Sequence, residues 1–114
     1  MISKTNPLFI KSDLLAKKIY TISLGFPKHE LYGLTSQLRR AGLSVVLNII
    51  EGFSRQSPNE YKHFLRIFYG SLQEVKYLLE FSKEQKYLSS EVFEDTFKVC
   101  EDVAKIIWTI TYKN

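Results

Sequence analysis

The sequence predicts an all-α protein, an up-down-up-down antiparallel four-helix bundle in a single domain over residues 1–114. Apolar residues recur every three or four positions in four segments, which is the period of a helix with one buried face. Three prolines and five glycines are few, so long elements are favoured over a loop-rich fold. No useful length of sequence shows strand alternation. The connections are short, which makes sequential helices antiparallel neighbours.

Helix 1 is predicted to begin at Asn6–Pro7, where an N-cap residue precedes a proline at the first helical position. Ser12–Asp13 is a second candidate start, but the earlier one gives a length closer to that of the other helices. Gly25 and Pro27 end the helix. Its apolar stripe is Leu8, Leu15, Ile19 and Ile22.

Helix 2 is predicted as one long helix from about Lys28 to about Ser54, on the order of 40 Å at 1.5 Å per residue. It is apolar around most of its girth, so it has to be buried on several sides. Polar groups inside such a helix need partners or water. A polar line with spacings of seven and four shares one face of this helix. Its members are Gln37, Ser44, Asn48 and Glu51.

Helix 3 is predicted from the capping box Ser57–Glu60, with Pro58 at the first helical position, to about Lys86. Gly70 lies in mid-helix at a cost of roughly 1 kcal/mol relative to alanine, which predicts a close neighbour there. A heptad-like seam runs along the helix. It consists of Tyr61, Leu65, Phe68, Leu72, Val75 and Leu79.

Helix 4 is predicted to begin at the cap Ser89–Ser90, because acidic residues in the following turns suit the positive end of the helix dipole. Cys100 lies within its apolar stripe and is therefore predicted to be a core residue and not a nucleophile. The rest of the stripe is Phe93, Phe97, Ala104 and Ile107.

The composition is that of an ordinary globular domain, with 45% apolar and 25% charged residues. A single cysteine excludes an internal disulfide framework and suits a reducing compartment. We find neither a secretory signal nor an apolar stretch long enough to span a bilayer, so we expect a cytoplasmic protein without a membrane partner.

The net charge of +4 is unevenly distributed. Residues 1–72 hold ten Lys and Arg against four acids, and all four arginines are among them. The planar fork of arginine pairs with phosphate in a bidentate way. The alternative is that these charged residues only form solvated helix faces and helix ends.

Candidate nucleic-acid-binding residues cluster near the turn between helices 2 and 3: Arg55, Lys62 and Arg66. Phe53 and Tyr61 are close in sequence, and basic with aromatic groups together can hold phosphate and stack a base. The alternative is a polar turn whose aromatic residues contribute to the core.

Arg39 and Arg40 complete the candidate set. Adjacent residues point about 100° apart on a helix, so both cannot face the same partner. One of them joins the internal seam or a subunit contact while the other reaches solvent.

An enzyme is not predicted, and neither is a metal or a cofactor. His29 and His63 have no Cys, His or acid at metal-ligand spacing, and the glycines form no phosphate loop. Glu51 and Glu74 are a candidate carboxylate pair for a metal or for proton transfer. The alternative is a structural role, either an ion pair with an arginine or a hydrogen-bond network. The network residues are Gln37, Ser44, Asn48 and Ser71.

Short motifs along the chain carry a family resemblance. They are Ile19-Tyr20, Phe26-Pro27, Tyr32 to Ala41, Ser44, Asn48-Ile49, Glu51-Gly52, Arg55, Phe64-Leu65, Gly70 to Leu72 and Glu74. These motifs resemble those of the four-helix-bundle proteins related to the 23S rRNA intervening-sequence protein, and the resemblance covers nearly the whole chain. Ile50 and Phe68 depart from it, because the family usually has small residues there.

The resemblance implies a small bacterial cytoplasmic protein that forms a left-handed bundle and a ring-shaped homopentamer. A distantly similar bundle is an accessory factor to a reverse transcriptase, so RNA, DNA or a nucleic-acid-processing protein is the expected partner by analogy. We therefore expect a non-enzymatic oligomeric scaffold. The alternative is a structural or protein–protein interaction module without a nucleic-acid role.

Overall fold

The computed structural model describes residues 2–55 and 57–112, which form four α-helices, a short 3₁₀ helix and no β-strand. The helices are α1 Pro7–Ser23, α2 Leu34–Phe53, α3 Pro58–Glu84 and α4 Ser90–Tyr112. The predicted all-α class and the four helices are confirmed. Helices α1 and α3 each pack against both α2 and α4, so one core lies between all four.

Three of the predicted helix starts are set by side-chain caps, and at α4 the Ser89 hydroxyl accepts a hydrogen bond from the Val92 N–H at 3.1 Å. The Asn6 side chain accepts a hydrogen bond from the Leu8 backbone N–H at 2.9 Å, which confirms the earlier start of α1. The Ser57 hydroxyl likewise accepts from the Glu60 N–H at 3.5 Å at the start of α3. Each cap occupies a backbone donor that the first turn of a helix leaves free.

The prediction that helix 2 begins near Lys28 is wrong. A 3₁₀ helix covers Lys28–Glu30, and α2 begins only at Leu34, because the backbone at Gly33 (φ −118°, ψ −109°) is not helical. The Glu30 carboxylate accepts from the Leu34 N–H at 3.3 Å and from the Tyr87 hydroxyl at 3.0 Å. This carboxylate caps α2, whose 20 residues span about 30 Å.

Helix α3 ends at Glu84, slightly before the predicted Lys86. Lys86 adopts the left-handed conformation with φ 66°, and the Tyr87 N–H donates to the Ser82 carbonyl at 2.9 Å. This is the Schellman pattern that ends many helices. The Tyr87 ring then packs on Phe26 with centroids 5.5 Å apart, which brings the α1–α2 and α3–α4 connections to one end of the molecule.

The core contains fully buried residues from every helix, and Phe68 is the largest of them. The core therefore accommodates a bulky side chain at a position where the resemblance led us to expect a small one. Cys100 is also fully buried, as predicted. On α2, a Cβ added to Gly42 would come within 2.8 Å of Ile19 Cδ1, so this glycine permits a close approach of α1.

The close neighbour predicted for Gly70 is absent from the described part of the chain. Beyond its own helical segment, no described atom lies within 4 Å of the position that a Cβ would take, and the residue is exposed. None of the helices in the described residues combines the length and apolarity needed to cross a bilayer.

Candidate nucleic-acid interface

Arg55 follows the end of α2 and is held by two groups of its own chain. Its guanidinium forms an ion pair with Glu51 and lies 4.8 Å from the centroid of the Phe64 ring. The pair with Glu51 neutralises part of the positive charge that this arginine offers to an anion.

Lys62 and Arg66 lie four residues apart on α3 and share one face of it. Neither forms an ion pair with any residue in the described ranges. They stand two residues before and after Phe64, so they project about 160° around the helix from it. The structure therefore does not bring Arg55, Lys62 and Arg66 into one patch.

The face of α3 with Lys62 and Arg66 continues to Tyr69, which lies across a cleft from Trp108 on α4. The cleft has a volume of about 290 Å³. Trp108 is 51% exposed, a large fraction for tryptophan. The cleft is lined by Tyr69, Ala104, Lys105, Trp108 and Thr109.

Sequence reasoning missed Trp108 and Lys105. The available signal was that Trp108 falls outside the apolar stripe of helix 4, with Lys105 three residues before it and therefore on the same face. A large aromatic residue that is not in the core stripe has to lie on the surface. We call Lys62, Arg66, Tyr69, Lys105 and Trp108 the basic–aromatic surface.

The aromatic residues predicted near the α2–α3 turn pack on each other. The rings of Phe53 and Tyr61 meet edge to face with centroids 5.2 Å apart, and both residues are half-buried against the core. Burial also raises the pKa of the Tyr61 hydroxyl. Neither ring is freely presented to a base.

The adjacent arginines have different surroundings. Arg39 is half-buried, its Nε donates to the Ser23 hydroxyl at 2.8 Å, and its guanidinium carbon lies 4.4 Å from the Tyr20 ring centroid. Arg40 is exposed and forms no ion pair with a described residue. Arg39 thus joins α2 to α1, whereas Arg40 is available to another molecule.

We call the polar line of helix 2, together with Ser71 and Glu74 of helix 3, the polar seam. Part of this predicted seam forms a hydrogen-bond network between α2 and α3. The Ser44 and Ser71 hydroxyls are 3.2 Å apart, and Asn48 Nδ2 donates to the Ser44 carbonyl at 2.8 Å and to its hydroxyl at 3.0 Å. All three residues are half-buried. The network therefore lies at the edge of the core.

The rest of the predicted seam is open to solvent in the isolated chain. Gln37 and Glu74 are exposed and share a cleft of about 230 Å³ with Arg40, Ala41 and Ser44. Arg40 and Glu74 line this cleft without forming an ion pair. The opposite charges of Arg40 and Glu74 therefore lie near each other and remain available to another molecule.

Glu51 and Glu74 do not form a carboxylate pair. Glu51 pairs with Arg55 near the end of α2, at the level of Phe64 on α3. Glu74 lies ten residues after Phe64, which places it about 15 Å from that level along the axis of α3. Within the described ranges, no group of three His, Cys, Asp or Glu residues is placed to hold a metal ion.

Comparison with known proteins decides the family. A family model described as 23S rRNA-intervening sequence protein matches residues 4–109. The chain belongs to this family. The resemblance predicted from the helix 2 and helix 3 motifs is therefore confirmed.

One solved structure shares the fold of this chain. It is a protein of unknown function from the S23 ribosomal protein family of Bacteroides thetaiotaomicron, with 23% identity and a TM-score of 0.83 over 92% of this chain and 98% of that chain. At this identity the likeness shows the fold alone. No curated protein matches the chain.

Proposed function

We propose that the chain is a non-enzymatic subunit of a ring-shaped homopentamer in the bacterial cytoplasm, and that the ring binds RNA or DNA through the basic–aromatic surface. The observation that carries the binding proposal is the cleft between Tyr69 and Trp108, which has Lys105 at its wall and Lys62 and Arg66 on the adjoining face. The family description, which refers to rRNA, points the same way.

We infer that each subunit is an up-down-up-down bundle. On α1 and α4, Lys11 pairs with Asp102 at 3.5 Å and Lys18 pairs with Asp95 at 2.6 Å. Residue numbers rise along α1 as they fall along α4, which is the pattern of antiparallel helices. Short connections between sequential helices support the same topology.

The oligomer is proposed because large apolar side chains remain exposed on several helices. Leu47 is 59% and Tyr77 63% exposed, and a set of exposed apolar residues of this size normally marks a subunit interface. The family resemblance suggests five copies. Light scattering at micromolar concentration should report a pentamer, and a monomer mass would contradict the proposal.

The chemistry of the basic–aromatic surface suits single strands. Exposed aromatic rings can stack on any unpaired base, and nearby cations hold the backbone without reading sequence. One subunit offers few charges, but five linked copies would gain avidity if one strand can reach several of them. Binding should therefore be poor in sequence preference, sensitive to salt and dependent on the ring.

The surroundings of the chemically reactive side chains support a non-enzymatic role. Burial raises the pKa of the Cys100 thiol to about 12, so it is not a nucleophile at neutral pH. Glu51 is committed to Arg55. His29 and His63 are exposed to solvent and lie on different helical segments.

The test uses the single tryptophan as a probe. Titration with single-stranded and duplex RNA and DNA at low salt should quench Trp108 fluorescence, more strongly for single strands. The Lys62→Glu, Arg66→Glu double variant should lose at least about tenfold in affinity, since phosphate contacts supply most of such binding.

The matched control is Lys28→Glu, Lys86→Glu, which makes the same change in net charge near the opposite connections. It should bind almost as well as wild type. Absence of binding at low salt, or equal losses in both double variants, would contradict the proposed site. A protein-interaction module without a nucleic-acid role would then be the better account, because the same exposed aromatic residues can serve a protein partner.

A further inference from the structure

Two rows of exposed residues lie on the outside of α2 and α3. The α2 ridge consists of Arg40, Leu43 and Leu47, and the α3 ridge consists of Ile67, Gly70, Glu74 and Tyr77. Their spacings of three and four place each row on one face of its helix. All seven residues are exposed, and four of them are large apolar residues.

Gly70 is the first sign that something packs on the α3 ridge. A glycine in mid-helix destabilises the helix relative to alanine, and a helix interior normally keeps one where another element comes close. No such element of the described chain is near Gly70, since the space around its virtual Cβ is open for 4 Å. The close approach that would explain it therefore comes from another molecule.

Arg40 and Glu74 indicate which molecule that is. They line the same cleft with opposite charges, and neither is paired with a described residue. A second copy of this chain carries the complementary charge for each of them. A partner that was uniformly acidic or basic would satisfy one and repel the other.

The heights of these residues along the bundle agree with such a pairing. The Ser44–Ser71 hydrogen bond sets the level of α2 against α3. Arg40 lies one turn from Ser44 towards the start of α2. Glu74 lies one turn from Ser71 towards the end of α3. On this antiparallel pair the two lie at the same height, as their shared cleft requires.

The apolar members match in the same way. Leu47 lies one turn after Ser44, and Ile67 lies one turn before Ser71. Leu47 and Ile67 are therefore at the same height along the bundle. Gly70 then falls between the heights of Leu43 and Leu47. Two leucines one helical turn apart can straddle a glycine on a facing helix, as a ridge fits a groove.

We propose that in the ring the α2 ridge of one copy packs on the α3 ridge of the next, with Arg40 paired to Glu74 of the neighbouring copy and Leu43 and Leu47 on either side of its Gly70. If the ring axis runs along the helices, rotation from copy to copy keeps every residue at its own height, so residues that are level within a chain are level across the interface. Two different ridges in contact form a heterologous interface, which closes into a ring when five equal rotations complete a full turn.

This inference rests on the proposed oligomer but assigns its interface. The test is the mass of charge-reversal variants at micromolar concentration. Arg40→Glu and Glu74→Arg should each lose the oligomer, and the double variant Arg40→Glu, Glu74→Arg should regain it. Gly70→Leu should also dissociate, while its helical circular dichroism stays that of the folded chain because the site is open within a subunit.

Lys98→Glu, an exposed charge on α4, is the control and should keep the wild-type mass. If wild type is a monomer, the ring proposal fails and the inference fails with it. If wild type is an oligomer and the four variants keep its mass, the ring stands but this interface is wrong. Failure of the double variant to restore assembly after both single variants have dissociated would overturn the Arg40–Glu74 pairing.

Discussion

Gly42 on α2 and Gly70 on α3 are both helical glycines, and their surroundings are opposite. A Cβ at Gly42 would lie 2.8 Å from Ile19 Cδ1, whereas a Cβ at Gly70 would meet no described atom within 4 Å. Each costs its helix about 1 kcal/mol relative to alanine. At Gly42 the close packing of α1 on α2 offsets this cost. The described chain offers no such packing at Gly70, and the interface that we propose would supply it.

The adjacent arginines repeat this contrast on a single helix. Arg39 is bound to Ser23 and stacked on Tyr20 within the chain, whereas Arg40 faces an open cleft beside Glu74. Neighbouring residues of one type thus serve different contacts. Arg39 joins α2 to α1, and Arg40 is the residue that we propose to contact a second copy of the chain.

The largest effect is expected from leucine at the two glycines. Gly42→Leu should lower the free energy of unfolding by about 3 kcal/mol, because the extra atoms overlap the fully buried Ile19. Gly70→Leu should raise it by up to about 1 kcal/mol, because leucine is a much better helix former than glycine and the site is open within the described chain. Urea unfolding in the Arg40→Glu background, which removes the proposed association, measures both. Equal effects would remove the contrast.

Alkaline pH tests the closed side of the molecule. Burial holds the pKa of Cys100 at about 12 in the folded chain, against 9.0 as its ordinary value. The unfolded chain releases this proton first as pH rises, so the stabilisation is complete below about pH 9 and is lost towards pH 12. From pH 9 to 10.5 wild type should lose about 2 kcal/mol more than Cys100→Ala.

The open side provides the matched thiol for this experiment. Gly70→Cys in the dissociated Arg40→Glu background should react with a thiol reagent at pH 8 within minutes, while Cys100 should stay unreactive until the chain unfolds. Rapid labelling of Cys100 in the folded protein, or parallel alkaline unfolding curves for wild type and Cys100→Ala, would argue against a sealed core at this position.

A smaller effect is expected at the edge of the core. Asn48→Ala should destabilise by about 1 kcal/mol, because the Ser44 carbonyl and hydroxyl lose a donor in a half-buried network. The exposed Gln37→Ala is the control and should change the unfolding midpoint little. An unchanged midpoint for Asn48→Ala would mean that water replaces the amide freely.

The smallest effect has an unusual sign. Gly70→Ala should stabilise the isolated subunit by up to about 1 kcal/mol through helix propensity, because no described atom blocks the new methyl group. The same change should weaken assembly if Leu43 and Leu47 of a neighbour straddle this position. Unfolding in the Arg40→Glu background and light scattering of the single variant measure the two effects separately.

The sequence was sufficient for features that depend on local chemistry. Asn6 and Ser57 cap their helices through bonds to residues two and three positions away, and both starts could be predicted. The start of α2 could not, because its capping residue Glu30 is oriented by Tyr87, 57 residues further along the chain. Local propensity carries no information about such a contact.

The candidate site shows the same limit. Arg55, Lys62 and Arg66 are close in sequence, but helix rotation separates the face of Lys62 and Arg66 from Phe64, on which Arg55 rests. Lys105 and Trp108 reach Tyr69 from another helix. Short-range proximity therefore predicted the basic end of α3 but not the aromatic residues that complete its surface.

The most direct test of the contact between the two ridges is a disulfide experiment with Leu43→Cys and Gly70→Cys, each introduced into a Cys100→Ala background so that it carries a single cysteine. Under mild oxidation, co-expressed subunits should form a disulfide-linked dimer between one variant and the other, because the interface brings position 43 of one copy to position 70 of the next. Either variant expressed alone should stay uncrosslinked. Crosslinking within each single variant, or none in the mixture of an assembled oligomer, would contradict the proposed interface.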